Sequence, residues 1–196
     1  QCFDKIALVR GRDSLQFCRD MEPQEKLDLF PAGKLEITLR RLCHQLVETY
    51  GDFQDTVLIG AQPRGLFLAR RIQLELEQLV GRKVPQGELD VTFFRDDFRK
   101  RPAPLEPNKT HIDFLIEDQK VILIDDVLYT GRTVRAAMDA MLAYGRPYSV
   151  ELLVLVDRIR QRELPVEASY IGIEVDTIAT QRVLVELKEG GGNDEV

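Results

Sequence analysis

Cysteine and histidine are scarce in this 196-residue chain, which has three of the first and two of the second. Cys2, Cys18 and Cys43 are odd in number and show no CxxC spacing, so they suggest neither a disulfide framework nor a zinc site. Two histidines are too few for a His-based metal centre. No apolar run approaches the ~18 residues of a membrane span. The start also lacks the apolar core of a signal peptide. A soluble, cytoplasmic protein without membrane contact is expected. Positive charge is in deficit as well: 27 Lys and Arg face 33 Asp and Glu, for a formal net charge of −6. Such a chain does not grip nucleic acid through its whole surface, which leaves only a local basic patch for that role.

What the chain does have is apolar mass. With 44% hydrophobic residues it can bury one substantial core, so one main domain is expected. Residues 1–33 mix charge with short apolar pieces and read as an extension without an assigned role. Residues 34–189 form the expected domain, and the Gly-rich, acidic stretch 190–196 is expected to fray.

Within the domain, Leu35, Leu39, Leu42 and Leu46 recur at helical spacing over Lys34–Tyr50, and Gly51 stops the helix. "TVLIG" (56–60) is a buried strand without alternation, as in a parallel sheet covered on both faces. A helix over 65–80 and a strand "LDVTFF" (89–94) follow. Residues 95–118 are charged and Pro-rich, the pattern of a lid or binding loop. "KVILID" (120–125) is a third strand, followed by a helix over 133–144 with Val134, Ala137, Met138, Met141 and Leu142 on one face. "SVELLVLVD" (149–157) is a fourth strand, and "ASYIGI" (168–173) and "RVLVEL" (182–187) suit the sheet's edge. The alternation predicts an α/β fold: a mainly parallel, twisted sheet flanked by helices.

Ligands of such sheets bind beyond the carboxyl ends of the strands. There the sequence places Asp125 and Asp126, then "TGRT" (130–133) entering a helix. Thr130 and Thr133 offer hydroxyls, Gly131 admits close backbone approach, and the helix start offers free N–H groups, a setting for a phosphate monoester. Carboxylates beside a phosphate repel it unless they hold something between, either sugar hydroxyls or a magnesium ion. The combination points to a phosphorylated sugar. After "TVLIG", the turn "AQPRG" sets Arg64 before another helix and makes a second anion site.

The stretch "DDVLYTGRTVRAAMDAM" resembles the phosphoribosyl-diphosphate (PRPP) signature of type I phosphoribosyltransferases. With "LRRLCHQLVE", "IGAQPRG", "RDDFRK", "YGRPYSVELLVLVDR" and "RELPVEASYIG", the resemblance is closest to the PyrR group of pyrimidine-operon attenuators that also carry uracil phosphoribosyltransferase activity. It runs from about Leu35 to Lys188. The resemblance implies that Asp125 and Asp126 hold the ribose hydroxyls, and Mg2+ indirectly through PRPP. It implies that Thr130, Gly131, Arg132 and Thr133 cradle the 5′-phosphate, with Val127, Leu128 and Tyr129 in the same binding stretch. Arg64 and Gly65 match the pyrophosphate loop, Arg95 and Asp96 begin a loop that closes over substrate, and Asp157 and Arg158 match the uracil pocket. Asp125, Asp126, Arg64 and Arg95 are the catalytic candidates. The implied partners are PRPP, uracil and the nucleotides UMP and UTP. Tyr129 stands where purine-type relatives carry an Asp, which fits a pyrimidine.

The same resemblance implies a homodimer or higher oligomer and an mRNA stem-loop as partner, through Arg40, Arg41, His44, Arg160 and Arg162. The pattern departs from the group after "VDR", where its Gly-His is replaced, and at Ile173 and Glu174, where a lysine is lost and an acid gained. Two alternatives stay open: an RNA-binding regulator with little catalysis, and a phosphoribosyltransferase for another base.

Overall fold

A computed structural model describes residues 28–31, 33–96, 109–178, 181–192, 194 and 196. Five strands and three helices make up its frame: α1 (Lys34–Tyr50), β1 (Thr56–Ala61), α2 (Arg64–Val80), β2 (Gln86–Leu89), β3 (Lys120–Leu128), α3 (Arg132–Met141), β4 (Ser149–Ile159) and β5 (Tyr170–Asp176). The strands form one parallel sheet in the order β2-β1-β3-β4-β5. Alternate residues leave opposite faces of each strand. Leu58, Ile122 and Leu153 pack with Leu42, Leu46, Leu68 and Ile72 of α1 and α2. Val57, Val121, Leu123 and Leu152 pack with Ala136, Ala137 and Met141 of α3 on the other face. A sheet buried on both sides needs strands without polar alternation, which is what β1, β3 and β4 supply.

The chain winds from β1 through α2 to β2 in one direction, and from β3 through α3 to β4 in the other. Between β1 and β3 lies the point where the winding reverses, the place where open α/β sheets form a crevice. The ladders deepen it. β1 stays in register with β3 up to Gly60 opposite Ile124, whereas β4 accompanies β3 as far as Leu128 opposite Asp157. From Asp125 onward β3 therefore has a ladder neighbour on one side only. Both carboxylates sit inside the strand, which runs on to Leu128, past the expected end at Asp125.

Three sequence expectations give way. The strand expected over 89–94 ends at Leu89, and Thr92–Phe94 form a 3₁₀ turn. Asp90 is the cause: its Oδ1 accepts from the Thr92 N–H at 2.9 Å and the Thr92 hydroxyl at 2.6 Å, which turns the chain. The stretch 182–187 is no sheet strand. Val185 and Leu187 are buried, so the period of two serves an extended segment packed on the core without a strand ladder. The terminal stretch is docked at its described residues: Asp194 pairs with Arg71 at 2.6 Å, and Val196 is buried with its carbonyl accepting from the Leu29 N–H.

Of the expected 95–118 loop, the closing half is fixed. His111 bridges antiparallel to Glu88, Lys109 accepts from the Gln62 side chain at 2.8 Å, and Ile116 is buried. Residues 97–108, and with them the expected mobility of the lid, lie outside the described residues.

A candidate active site at the reversal point of the sheet

Gly65 is the second residue of α2 and presses on the backbone of β3 at the acidic pair. A Cβ there would overlap the Ile124 carbonyl oxygen and stand 3.0 Å from the Asp125 Cα. Only glycine lets the start of α2 come this near. The contact brings Arg64 to Asp126, with Nη1 3.3 Å from Oδ2. The Gln62–Pro63 peptide preceding them is cis.

The two carboxylates differ. Asp125 is buried, its Oδ1 accepting from the Asp126 N–H at 2.9 Å. Burial, reinforced by the neighbouring Asp126 charge, pushes the Asp125 carboxyl well above the usual carboxylate range. Asp126 keeps a small exposed face toward the crevice, and its Oδ1 accepts from the Val127 N–H at 2.9 Å.

Beyond them, Gly131 takes a left-handed conformation (φ 90°) and starts α3 with no side chain capping the helix. The sequence expects an anion at the N–H groups of this helix start, which Gly131 leaves without a cap of its own. Thr130 Oγ1 lies 3.4 Å from the Arg132 N–H, and Thr133 Oγ1 accepts from Arg95 Nη1 at 2.9 Å. Arg95, from the start of the lid segment, is thereby brought to the cradle. Arg132 turns outward. Its Nε donates to Glu163 at 2.7 Å, and its terminal nitrogens pair with Glu163 and Asp96. The Glu163 hydrogen bond and the two carboxylate charges raise the Arg132 pKa.

At the end of β4, Asp157 and Arg158 are both buried. Arg158 donates to Thr177 Oγ1 at 2.8 Å and to the Gln181 carbonyl at 3.1 Å, and its guanidinium lies 4.0 Å from the centre of the Tyr129 ring. Tyr129 and Arg158 thus form a cation–π pair joining the ends of β3 and β4. Val127 and Leu128 serve as the strand backbone leading to it.

The arginines expected to meet RNA are already partnered. Arg41 donates to the carbonyls of Ile171 and Gly172 at 2.9 and 2.7 Å, which ties α1 to β5. Arg40 pairs with Glu36 at 2.9 Å and Glu75 at 3.5 Å, and Arg160 with Asp176 at 3.1 Å. Arg162 departs furthest from the expectation, because it turns inward to Asp157. His44 is exposed on α1. The sequence reading missed Glu163, Thr177 and Gln181. No spacing rule ties Arg132 to an acid 31 positions away; the available signal was an arginine in an anion cradle that needed a partner of its own.

Residues 27–189 match the phosphoribosyl transferase domain family. The chain is 46% identical over 160 residues to the Bifunctional protein PyrR of Bacillus subtilis (strain 168), covering 81% of this chain and 88% of that one. It is 42% identical over 171 residues to the Enterococcus faecalis (strain V583) protein of the same name, covering 87% and 95%. The chain belongs to the PyrR group of the phosphoribosyl transferase family. Solved structures resembling it include a hypoxanthine-guanine phosphoribosyltransferase from Bacillus anthracis, with TM-score 0.59 and 18% identity over 77% of this chain and 84% of that one. The hypoxanthine phosphoribosyltransferase of Trypanosoma cruzi gives TM-score 0.60 and 17% identity over 76% and 82%. At that identity the likeness establishes the fold, a type I phosphoribosyltransferase sheet.

Proposed function

We propose that the chain is a uracil phosphoribosyltransferase: uracil and PRPP give UMP and pyrophosphate. The observation that carries this reading is the Arg64–Asp126 pair at 3.3 Å, which joins two anion-binding turns across one crevice beside the uncapped start of α3. In the reaction the bond from C1′ to the pyrophosphate oxygen breaks and a bond from uracil N1 to C1′ forms, with loss of the N1 proton. Asp125 and Asp126 accept hydrogen bonds from the two ribose hydroxyls. The N–H groups of Gly131 to Thr133 and the hydroxyls of Thr130 and Thr133 fix the 5′-phosphate, and Arg64 with Gly65 guides the pyrophosphate. Arg95, which donates to Thr133, adds a positive charge beside the phosphate. The carboxylates stabilise positive charge that develops on the ribose ring.

Among the described residues no group of three or more His, Cys, Asp and Glu could hold a metal ion. Two adjacent carboxylates suit an ion carried in with the diphosphate better than a resident one, so Mg2+ is proposed to arrive with PRPP. It would neutralise the departing pyrophosphate. The base pocket is assigned to Asp157, Arg158 and Tyr129. Turnover of PRPP with a panel of uracil, cytosine, hypoxanthine and guanine tests the reading. Uracil as the preferred acceptor supports it, and a purine as the preferred acceptor overturns it.

The bifunctional character that the PyrR relatives' name carries favours a second job: regulation of a pyrimidine operon through an mRNA stem-loop, with UMP or UTP sensed in the same pocket. A cytoplasmic homodimer is proposed, since Ile37 on α1 and Leu74 on α2 expose 70% and 60% of their surface. No described helix is long and apolar enough to cross a membrane.

A further inference from the structure

Arg162 stands in the loop between β4 and β5, yet its side chain is only 23% exposed. Nε donates to the Val166 carbonyl at 3.1 Å. Nη1 faces the carbonyls of Tyr129, Arg158 and Leu128 at 2.6, 3.0 and 3.3 Å. Nη2 pairs with Asp157, whose side chain is 9% exposed. These acceptors come from the end of β3, the end of β4 and the loop itself. An Asp157 carboxylate so deeply buried needs this cation, because a lone buried charge is strongly unfavourable.

The residues after Arg162 grip the adjoining phosphate loop. The N–H groups of Glu163 and Leu164 both donate to the Thr130 carbonyl at 3.1 Å, and Glu163 takes the Arg132 guanidinium. Segment 162–166 therefore clasps 128–132 along its length, with Arg162 at the base end of the clasp. The donor's own contacts (Asp125, Asp126, Arg64 and the start of α3) are not among the partners of Arg162. To meet an RNA phosphate, Arg162 would have to abandon Asp157.

Resting on the uracil phosphoribosyltransferase reading, we propose that Arg162 is a positioning residue for the base: it neutralises Asp157 and ties the ends of β3 and β4 together, and so sets affinity for the base and not for PRPP. Arginine is required because a single ammonium cannot reach carbonyls on several sides while pairing with a carboxylate.

The test is steady-state kinetics of Arg162→Gln, Arg162→Lys, Asp157→Asn and the double variant Arg162→Gln/Asp157→Asn, with thermal melting to confirm folding. Arg162→Gln is expected to raise the KM for uracil by about tenfold or more, with the KM for PRPP moving less than about threefold. Arg162→Lys recovers part of the loss. The double variant is no worse than the poorer single variant, since both substitutions break one interaction. An unchanged uracil KM, an equal rise in both KM values, or additive effects in the double variant would overturn the proposal. If Arg162→Gln does not fold, Arg162→Lys and Asp157→Asn decide it by the same split. Should the wild-type chain turn over no uracil, the functional reading fails, and calorimetry tests Arg162 separately. Arg162→Gln must then weaken UMP binding and spare ribose 5-phosphate; equal weakening of both sinks the idea.

Discussion

Gly65 and Asp125 lie back to back: a methyl group on the first would stand 3.0 Å from the α-carbon of the second. Helix start and acidic strand are thus held together by the absence of one side chain.

Gly65→Ala is accordingly expected to push α2 off β3 and widen the gap between Arg64 and Asp126. The atoms met are backbone, which cannot swing away, so the cost is on the order of 1–3 kcal/mol. Melting temperature and PRPP turnover are expected to fall together. A variant with wild-type melting and wild-type kcat/KM for PRPP would contradict this packing.

Asp126→Asn removes a carboxylate at the crevice without disturbing the core. Losing one charge-assisted contact of roughly 1.5–3 kcal/mol predicts a fall in kcat/KM for PRPP of about ten- to a hundredfold. Unchanged kinetics would take Asp126 off the list of groups that touch substrate.

Asp125→Asn is expected to behave differently, because the Asp125 carboxyl is raised in the folded state by burial and by Asp126. A group raised on folding contributes stability below its unfolded value and loses it as pH climbs toward the folded one, so at neutral pH the buried Asp125 carboxyl costs stability. Asn carries no such cost. The variant is expected to melt higher than wild type at pH 7, with the advantage shrinking as pH falls toward the ordinary Asp range, while turnover is lost. Equal or lower melting at pH 7 would show that the carboxylate is adequately solvated.

RNA binding is expected to be weaker and far more salt-sensitive than nucleotide binding, since Arg40, Arg41 and Arg160 each already serve a protein acceptor. Each phosphate contact that does form contributes about −0.7 to −0.9 to the slope of log affinity against log salt. UMP, which the proposed site seats on fixed N–H donors, is expected to show little such slope. Titration of a pyrimidine-leader stem-loop at several salt concentrations checks this, and tight UMP-enhanced binding at physiological salt would reverse the order.

Strong local patterns were legible in advance. The leucine stripe of α1 carried to its final turn, and the apolar runs of β1, β3 and β4 fell in the sheet because burial on both faces tolerates no polar alternation. The turn from the acidic pair into α3 could be placed because its residues are contiguous in the chain. Side-chain choices between distant segments could not. Asp90 turned an apparent strand aside through two short hydrogen bonds, and "RVLVEL" satisfied a strand's period by packing alone. Arg162 looked like surface charge because nothing in its neighbourhood announced that Asp157, five positions earlier, would be buried and in need of a cation.

β3 is the middle strand of the five, walled by ladders on either side along Lys120–Ile124 and covered by apolar residues above and below. Amides so enclosed exchange with solvent only when the whole domain opens. The platform under the acidic pair therefore has no local breathing mode for a ligand to quench. Substrate would leave its protection footprint on the turns after β1 and β3, and the exchange rates of Val121 to Ile124 would report the stability of the entire molecule, bound or free.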